Sequence, residues 1–88
     1  MLNGKNAVIT GSTSGIGLAT AELLAAKGCN VVINSFTDSE DDHRIASDLA
    51  KKQGVDAIYV KADMSKPEEA RSLIEQAASK LGSVDILV

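Results

Sequence analysis

The chain has 88 residues, with nine Lys and Arg against twelve Asp and Glu, one Cys, one His, one Tyr and one Phe. This length suits one small domain or part of a larger one and excludes two separate hydrophobic cores. The net charge of −3 argues against nucleic-acid binding, because neutralising phosphates takes clustered Lys and Arg. No apolar run approaches the roughly 20 residues of a membrane span, and the lone Cys29 cannot form an internal disulfide, so we predict a cytoplasmic protein.

The apolar pattern, followed in chain order, predicts four strands that alternate with three helices. The strands are short and apolar, whereas the helical segments repeat apolar residues every three or four positions. Predicted strands cover 6–9, 30–34, 57–60 and 84–88, and predicted helices cover 16–27, 40–53 and 66–81. Gly28, Gly54 and Gly82 follow the three helices, where glycine commonly ends a helix.

Helical spacing also predicts which side chains are buried and where the third helix begins. The first helix has a predicted buried face of Ile16, Ala19, Leu23 and Ala26, and the second has Ile45, Ala46, Leu49 and Ala50. Ser65 and Glu68 have the spacing of a capping box, which makes Ser65 the predicted N-cap of the third helix.

This alternation predicts an α/β fold of the Rossmann type. Connections of this length suit right-handed parallel crossovers, which give a partial doubly wound parallel sheet, β-α-β-α-β-α-β, with strand order 3-2-1-4. Because the sequence stops inside the fourth predicted strand, we expect 1–88 to be the N-terminal part of a dinucleotide-binding domain, incomplete at its C-terminus. Such a piece is expected to associate, to swap, or to need the rest of its chain.

A glycine-rich turn between the first strand and the first helix carries most of the functional information. Residues 10–17 read Thr-Gly-Ser-Thr-Ser-Gly-Ile-Gly. A pyrophosphate needs main-chain N–H donors at a helix N-terminus and no side chains in its way, and glycines meet that need. A Gly/Ser-rich turn without a ligand is the alternative, but its place within a βαβ unit favours dinucleotide binding.

Two other glycine motifs do not fit this turn. A P-loop requires Gly-Lys-Ser/Thr at its end, whereas Gly15 is followed by Ile16 and Gly17. A nucleophile elbow requires Gly-x-Ser-x-Gly, whereas the middle residue between Gly11 and Gly15 is Thr13.

The spacing of the three glycines is Gly-x-x-x-Gly-x-Gly, and with Thr10 in front it resembles the cofactor turn of the short-chain dehydrogenase/reductase family. The resemblance extends over nearly the whole chain, including Ala-Asp-Met-Ser at 62–65 and Val-Asp-Ile-Leu-Val at 84–88. Within that family the chain is most similar to the D-3-hydroxybutyrate dehydrogenases, which share the glycine turn and the Asn-x-Phe at 34–36. The resemblance implies an NAD-dependent oxidoreductase that interconverts a small 3-hydroxy acid and its 3-keto acid and forms a homo-oligomer, a tetramer by family resemblance.

The resemblance also implies a role for individual residues. The diphosphate would lie against Gly11, Gly15 and Gly17, with the Ile16 N–H directed at phosphate. Ser12 and Thr13 would lie near the adenosine ribose. Asp63 would accept a hydrogen bond from the adenine amino group, with Met64 beside the ring, although Asp63 could instead cap the turn before Ser65.

The choice between NAD and NADP depends on the residues that meet the adenosine 2′ position. The acidic residue usual in NAD users would fall at Ser35, and the cation of NADP users would fall at Ser14 or Phe36, so neither marker is present. The nearby acids, Asp38 among them, would repel a 2′-phosphate, which favours NAD over NADP. Asp38 itself is an alternative ribose contact, or an acid beside the N-terminus of the second helix.

Catalytic residues of the resembled family are not found in these 88 residues. The family implies a Ser and a Tyr-x-x-x-Lys pair, whereas Tyr59 is followed four residues later by Asp63 and is expected to be a packing residue. His43 is expected to be solvated, Cys29 to be a small buried group, and no metal site is expected. Alternatives are an NADPH-dependent 3-oxoacyl reductase of the same family and a non-catalytic nucleotide-binding module.

Overall fold

The computed structural model describes residues 3–88 of the chain. Its strands are β1 (Asn6–Ile9), β2 (Asn30–Ser35), β3 (Ala57–Lys61) and β4 (Ile86–Leu87), and its helices are α1 (Gly15–Ala26), α2 (Glu40–Gln53) and α3 (Pro67–Leu81). All four strands pair in parallel, in the order β3-β2-β1-β4. The predicted fold class and strand order are confirmed.

The core lies on both faces of this sheet. Successive side chains of a strand point to opposite faces, so Ile9 and Ile33 join the cluster that includes residues of α1 and α2, whereas Val8 and Val32 pack with Leu73 of α3. Burial on both faces explains why the central strands are apolar at nearly every position. No helix in the described range is long and apolar enough to cross a bilayer.

The buried face of α1 differs from the predicted one. Ile16 and Leu23 are 87% and 58% exposed, and Ala19 and Ala26 are also exposed. The helix instead buries the small side chains of Ala21 and Ala25 against the sheet. The prediction was wrong because Ala and Leu occur all round this helix, so apolar spacing could not select a face.

The start of α3 also differs from prediction. Its N-cap is Lys66 and Pro67 is the first helical residue, so Ser65 is not the cap. The Ser65 hydroxyl donates to Asp63 Oδ1 at 2.6 Å and is therefore occupied by the turn before the helix. Proline at the first helical position loses no backbone hydrogen bond, since that N–H has no partner within a helix.

A capping box does occur in the structure, but at the start of α2. The Asp42 N–H donates to Ser39 Oγ at 3.3 Å, and the Ser39 N–H donates to Asp42 Oδ2 at 3.0 Å. The bond from the Ser39 N–H, together with a second bond from the Thr37 hydroxyl, holds the pKa of the Asp42 carboxyl below its ordinary value. The box fixes the α2 N-terminus to the loop that follows β2.

Strand β4 is shorter than the predicted 84–88, but pairing with β1 continues past its ends. The Asp85 N–H donates to the Asn6 carbonyl at 2.8 Å, and the Thr10 N–H donates to the Val88 carbonyl at 3.0 Å. These bonds hold β4 beside β1, on the side opposite β2. The strand order therefore reverses direction at β1, the position where doubly wound sheets bind ligands.

Candidate functional site

A cavity of about 410 Å³ opens at the carboxyl ends of β1, β2 and β3. Its walls come from the turn after β1, the end of β2 and the segment after β3; the lining residues are Thr10, Gly11, Thr13, Ser14, Asn34, Ser35, Phe36, Ala62, Asp63, Met64 and Ser65. Open α/β sheets place their ligand sites at this edge. Among these lining residues none is cationic and one, Asp63, is anionic.

The glycines of the turn after β1 are required by the backbone. Gly11 and Gly15 have φ angles of +58° and +59°, in the left-handed region that side chains disfavour. A Cβ on Gly17 would lie 2.3 Å from the carbonyl oxygen of Gly11, which is too close for any other residue. The third glycine therefore lets α1 approach the turn, whereas space beside Gly15 is open, with no atom within 4 Å of an added Cβ.

The N-terminus of α1 has neither a side-chain cap nor an acidic first turn, whereas each of the other two helices has acids there. Ser14 is its N-cap but makes no side-chain capping hydrogen bond, and the first turn contains no acidic residue. By contrast, α2 has a capping box and three acids in its first turn, and α3 has two acids. The first N–H groups of α1, at Gly15 to Gly17, are thus left for an anion at the positive end of the helix dipole.

Ser12 has a structural role here. Its side chain is fully buried, its hydroxyl donates to the Ile9 carbonyl at 2.6 Å, and the Asn34 N–H donates to it at 2.9 Å. The Ser12 hydroxyl therefore bonds inside the turn, whereas Thr13 lines the cavity.

Asn34 forms hydrogen bonds that link the carboxyl ends of β1, β2 and β3 beside the cavity. Its side-chain oxygen accepts from the Gly11 N–H at 3.2 Å, and its amide nitrogen donates to the carbonyls of Val60 at 2.9 Å and Ala62 at 3.3 Å. Its backbone carbonyl accepts from the Ser12 N–H at 2.8 Å. Because the residue is 1% exposed, these bonds are shielded from water and set the position of the glycine turn relative to β2 and β3.

The loop after β2 forms the opposite wall. Phe36 is 72% exposed and lines the cavity, as does the 41% exposed Met64 from the segment after β3. Asp38 lies further along the loop, where its Oδ1 is 2.5 Å from His43 Nε2, so both side chains form a surface pair outside the cavity lining. Two exposed apolar side chains on facing segments are suited to a flat aromatic base.

Asp63 caps the turn before α3, the alternative that the sequence left open. Its Oδ1 accepts from the Ser65 hydroxyl at 2.6 Å and the Ser65 N–H at 2.9 Å. These bonds lower the pKa of the Asp63 carboxyl, so it is ionised at neutral pH. The side chain also lines the cavity, so capping does not remove it from the candidate site.

Of the predicted site residues, five line the cavity and four do not. Those on the wall are Gly11, Thr13, Phe36, Asp63 and Met64, whereas Ser12, Gly15, Ile16 and Gly17 lie outside it. Asn34 has no predicted site role, although it begins the Asn-x-Phe at 34–36. Tyr59 is expected only to pack, whereas its hydroxyl also donates to the Thr37 carbonyl in the loop after β2.

Other candidate chemistry is sparse. Within residues 3–88 no group of three His, Cys, Asp or Glu side chains is placed to hold a metal ion. Cys29 is fully buried, as predicted, and this burial, with a smaller effect of Asp85, raises the pKa of its thiol. Neither observation suggests a second reactive centre.

Comparison with known proteins shows the family. The model for short chain dehydrogenases matches residues 5–88. A D-beta-hydroxybutyrate dehydrogenase of Cupriavidus necator is 48% identical over 88 residues, which is 100% of this chain and 33% of that protein. A 3-oxoacyl acyl-carrier-protein reductase of Staphylococcus epidermidis is 36% identical over 84 residues, 96% of this chain and 34% of that protein.

A solved structure gives the same result. The crystal structure of an NADH-dependent reductase of alginate metabolism superposes with a TM-score of 0.88 and 37% identity, over 98% of this chain and 35% of that one. The chain thus spans about a third of the length of its relatives. With its parallel sheet and glycine turn, the chain belongs to the short-chain dehydrogenase/reductase family.

Proposed function

We propose that this chain is the N-terminal, cofactor-binding part of an NAD-dependent oxidoreductase that interconverts 3-hydroxybutyrate, or a similar small 3-hydroxy acid, and its 3-keto acid. The observation that carries the cofactor role is the N-terminus of α1. Its first N–H groups have no capping side chain, and no acid stands in its first turn. A diphosphate supplies the negative charge and acceptor oxygens that such a helix end favours.

The residues present fit a dinucleotide. The diphosphate would be held by the N–H groups of Gly15, Ile16 and Gly17, and the open space beside Gly15 leaves room for it. Phe36 and Met64 would flank the adenine, and Asp63 would accept from its amino group. When bound, the nicotinamide ring supplies hydride transfer, while this chain's residues bind and orient the adenosine diphosphate half.

The preference for NAD is supported by the charge of the cavity wall. An NADP 2′-phosphate needs a cation, and none of the lining residues is Lys or Arg. Ionised Asp63 adds repulsion. The structural relative named as an NADH-dependent reductase agrees with this preference.

The substrate proposal rests on relatives, because the wall residues described above would contact only the adenosine half of the cofactor. The Cupriavidus necator relative is named for D-beta-hydroxybutyrate. An NADPH-dependent 3-oxoacyl reductase is the second candidate, supported by the Staphylococcus epidermidis relative. We place the catalytic Ser, Tyr and Lys of the family outside these 88 residues, since Tyr59 is buried in β3 and followed at the fourth position by Asp63.

Steady-state kinetics of the full-length protein test this proposal. We expect oxidation of D-3-hydroxybutyrate with NAD, and a kcat/KM for NAD at least about tenfold above that for NADP, because an unpaired 2′-phosphate costs more than 1.4 kcal/mol. Turnover of 3-oxoacyl thioesters with NADPH, but not of hydroxybutyrate, would support the second candidate. Binding of NAD without turnover of either substrate would favour a non-catalytic nucleotide-binding module.

We further propose a homo-oligomer in the cytoplasm. The 60% exposed Leu87 and the exposed apolar face of α1 are available for further contacts, and a free buried cysteine suits a reducing compartment. Light scattering of the full-length protein tests the assembly, and a monomer would contradict it.

A further inference from the structure

The side chain of Tyr59 extends from β3 to the loop that follows β2. Its side chain belongs to the core and is 8% exposed. The His43 ring packs edge-on against it, with 4.9 Å between ring centroids. Its hydroxyl lies 2.8 Å from Ser35 Oγ and also donates to the Thr37 carbonyl, so both neighbours of Phe36 are held by one phenol.

The hydroxyl groups of Ser35, Thr37 and Tyr59 form one hydrogen-bond network with the Asp42 carboxylate. The Asp42 carboxylate can only accept, so the Thr37 hydroxyl donates to it at 2.7 Å. Because the single Tyr59 proton goes to the Thr37 carbonyl, the Ser35 hydroxyl donates to Tyr59, and its oxygen also lies 2.9 Å from Thr37 Oγ1. The Thr37 N–H donates to Ser35 Oγ at 3.2 Å, so the Ser35 hydroxyl is engaged by both Tyr59 and Thr37.

Ser35 occupies the position where the family's acid would fall. The residue is 9% exposed, and its hydroxyl bonds within this network. Within this loop, Phe36 lines the cavity with an exposed side chain. The location of Phe36 is fixed by Ser35 before it and Thr37 after it, and both are bonded to Tyr59.

We propose that Tyr59 is a positioning residue for the adenosine end of the cofactor site, whose hydroxyl holds residues 35–37 and thereby places Phe36 on the cavity wall. This inference rests on the proposed function, because it concerns how that site keeps its shape. Tyr59 does not contact the ligand. It acts through Ser35 and Thr37, and it is not among the residues that line the cavity.

The test uses Tyr59→Phe in the full-length protein, which removes one oxygen and leaves the ring in the core. Calorimetry with ADP-ribose and with NAD should give dissociation constants raised by about three- to tenfold, the usual effect of one hydrogen bond. In steady-state assays KM for NAD should rise by the same factor while kcat stays within about twofold. Ser35→Ala should reproduce the loss, and the double variant should lose no more than either single change, since both interrupt one network.

Ser83→Ala is the matched control. It removes a hydroxyl that accepts from Asn6 Nδ2 at 3.1 Å, at the amino end of the strands and away from the cavity. We expect its ADP-ribose affinity to equal that of the wild type. Unchanged affinity in Tyr59→Phe, or an equal loss in Ser83→Ala, would overturn the positioning role alone, whereas a wild-type protein that binds neither ADP-ribose nor NAD would overturn the proposed function as well.

Discussion

Replacing Asn34 by Ala tests whether its hydrogen bonds at the strand ends hold the glycine turn in position for NAD. The change removes the acceptor for the Gly11 N–H and the donors to the Val60 and Ala62 carbonyls. At roughly 1 kcal/mol for each bond, with a further penalty for a buried carbonyl left without a partner, we expect a loss of about 3 kcal/mol in the free energy of unfolding. Because the glycine turn loses its tether to β2 and β3, NAD affinity should fall by about tenfold or more.

Asn30→Ala on the same strand is the matched control. Asn30 Nδ2 donates to Asn6 Oδ1 at 2.9 Å, and Asn30 Oδ1 accepts from the Asp56 N–H at 3.0 Å, so comparable bonds are lost at the amino end of the sheet. We expect a thermal midpoint lowered to a similar degree with NAD affinity within about twofold of wild type. Calorimetric titration of both variants with NAD distinguishes damage to the binding site from a general loss of stability. Equal affinity losses in the two variants, or none in Asn34→Ala, would refute this reasoning.

Three further predictions concern specificity, packing and pH. Phe36→Arg should raise the NADP to NAD ratio of kcat/KM, and an unchanged ratio would mean that this side chain does not face the 2′ position. Gly17→Ala should abolish NAD binding and lower the thermal midpoint sharply, because its Cβ would meet the Gly11 carbonyl at 2.3 Å. Gly54→Ala, which meets no atom but keeps φ at +66°, should cost about 1–2 kcal/mol of stability and leave NAD binding unchanged. The lowered pKa of Asp42 means that its stabilisation is present above about pH 3.9 and is lost as the pH falls through the folded-state pKa, so Asp42→Asn should flatten the acid side of the stability profile.

Much of the fold follows from local pattern. The bounds of β1 and α2 agree with prediction, since one is a short buried strand and the other an amphipathic helix with acids first, lysines last and a closing glycine. The face of α1 did not follow from pattern. Its burial depends on the close approach that Gly17 permits, which brings Ala21 and Ala25 onto the sheet.

The part of the candidate site that depends on backbone conformation could be predicted from the sequence. The part that depends on hydrogen bonds between side chains of different segments could not. The glycine turn needs positive φ and free N–H groups, and both can be predicted from glycine spacing. The inward orientation of Ser12 and the bridging by Asn34 depend on which strands become neighbours, information that no single segment contains. Ser65 illustrates the same limit, because Asp63 competed for the hydroxyl that was expected to cap α3.

The central claim is that the turn from Gly11 to Gly17 binds a diphosphate, and one pair of variants at Gly15 tests it. At φ +59°, Asn and Asp are the side chains that tolerate the backbone best, and neither meets an atom within 4 Å at its Cβ. They have the same shape and differ by one negative charge, worth about 1–3 kcal/mol beside a diphosphate at this partly exposed position. Titration of the full-length variants with NAD should show Gly15→Asp binding at least about tenfold more weakly than Gly15→Asn, and equal affinities would contradict a diphosphate at this turn.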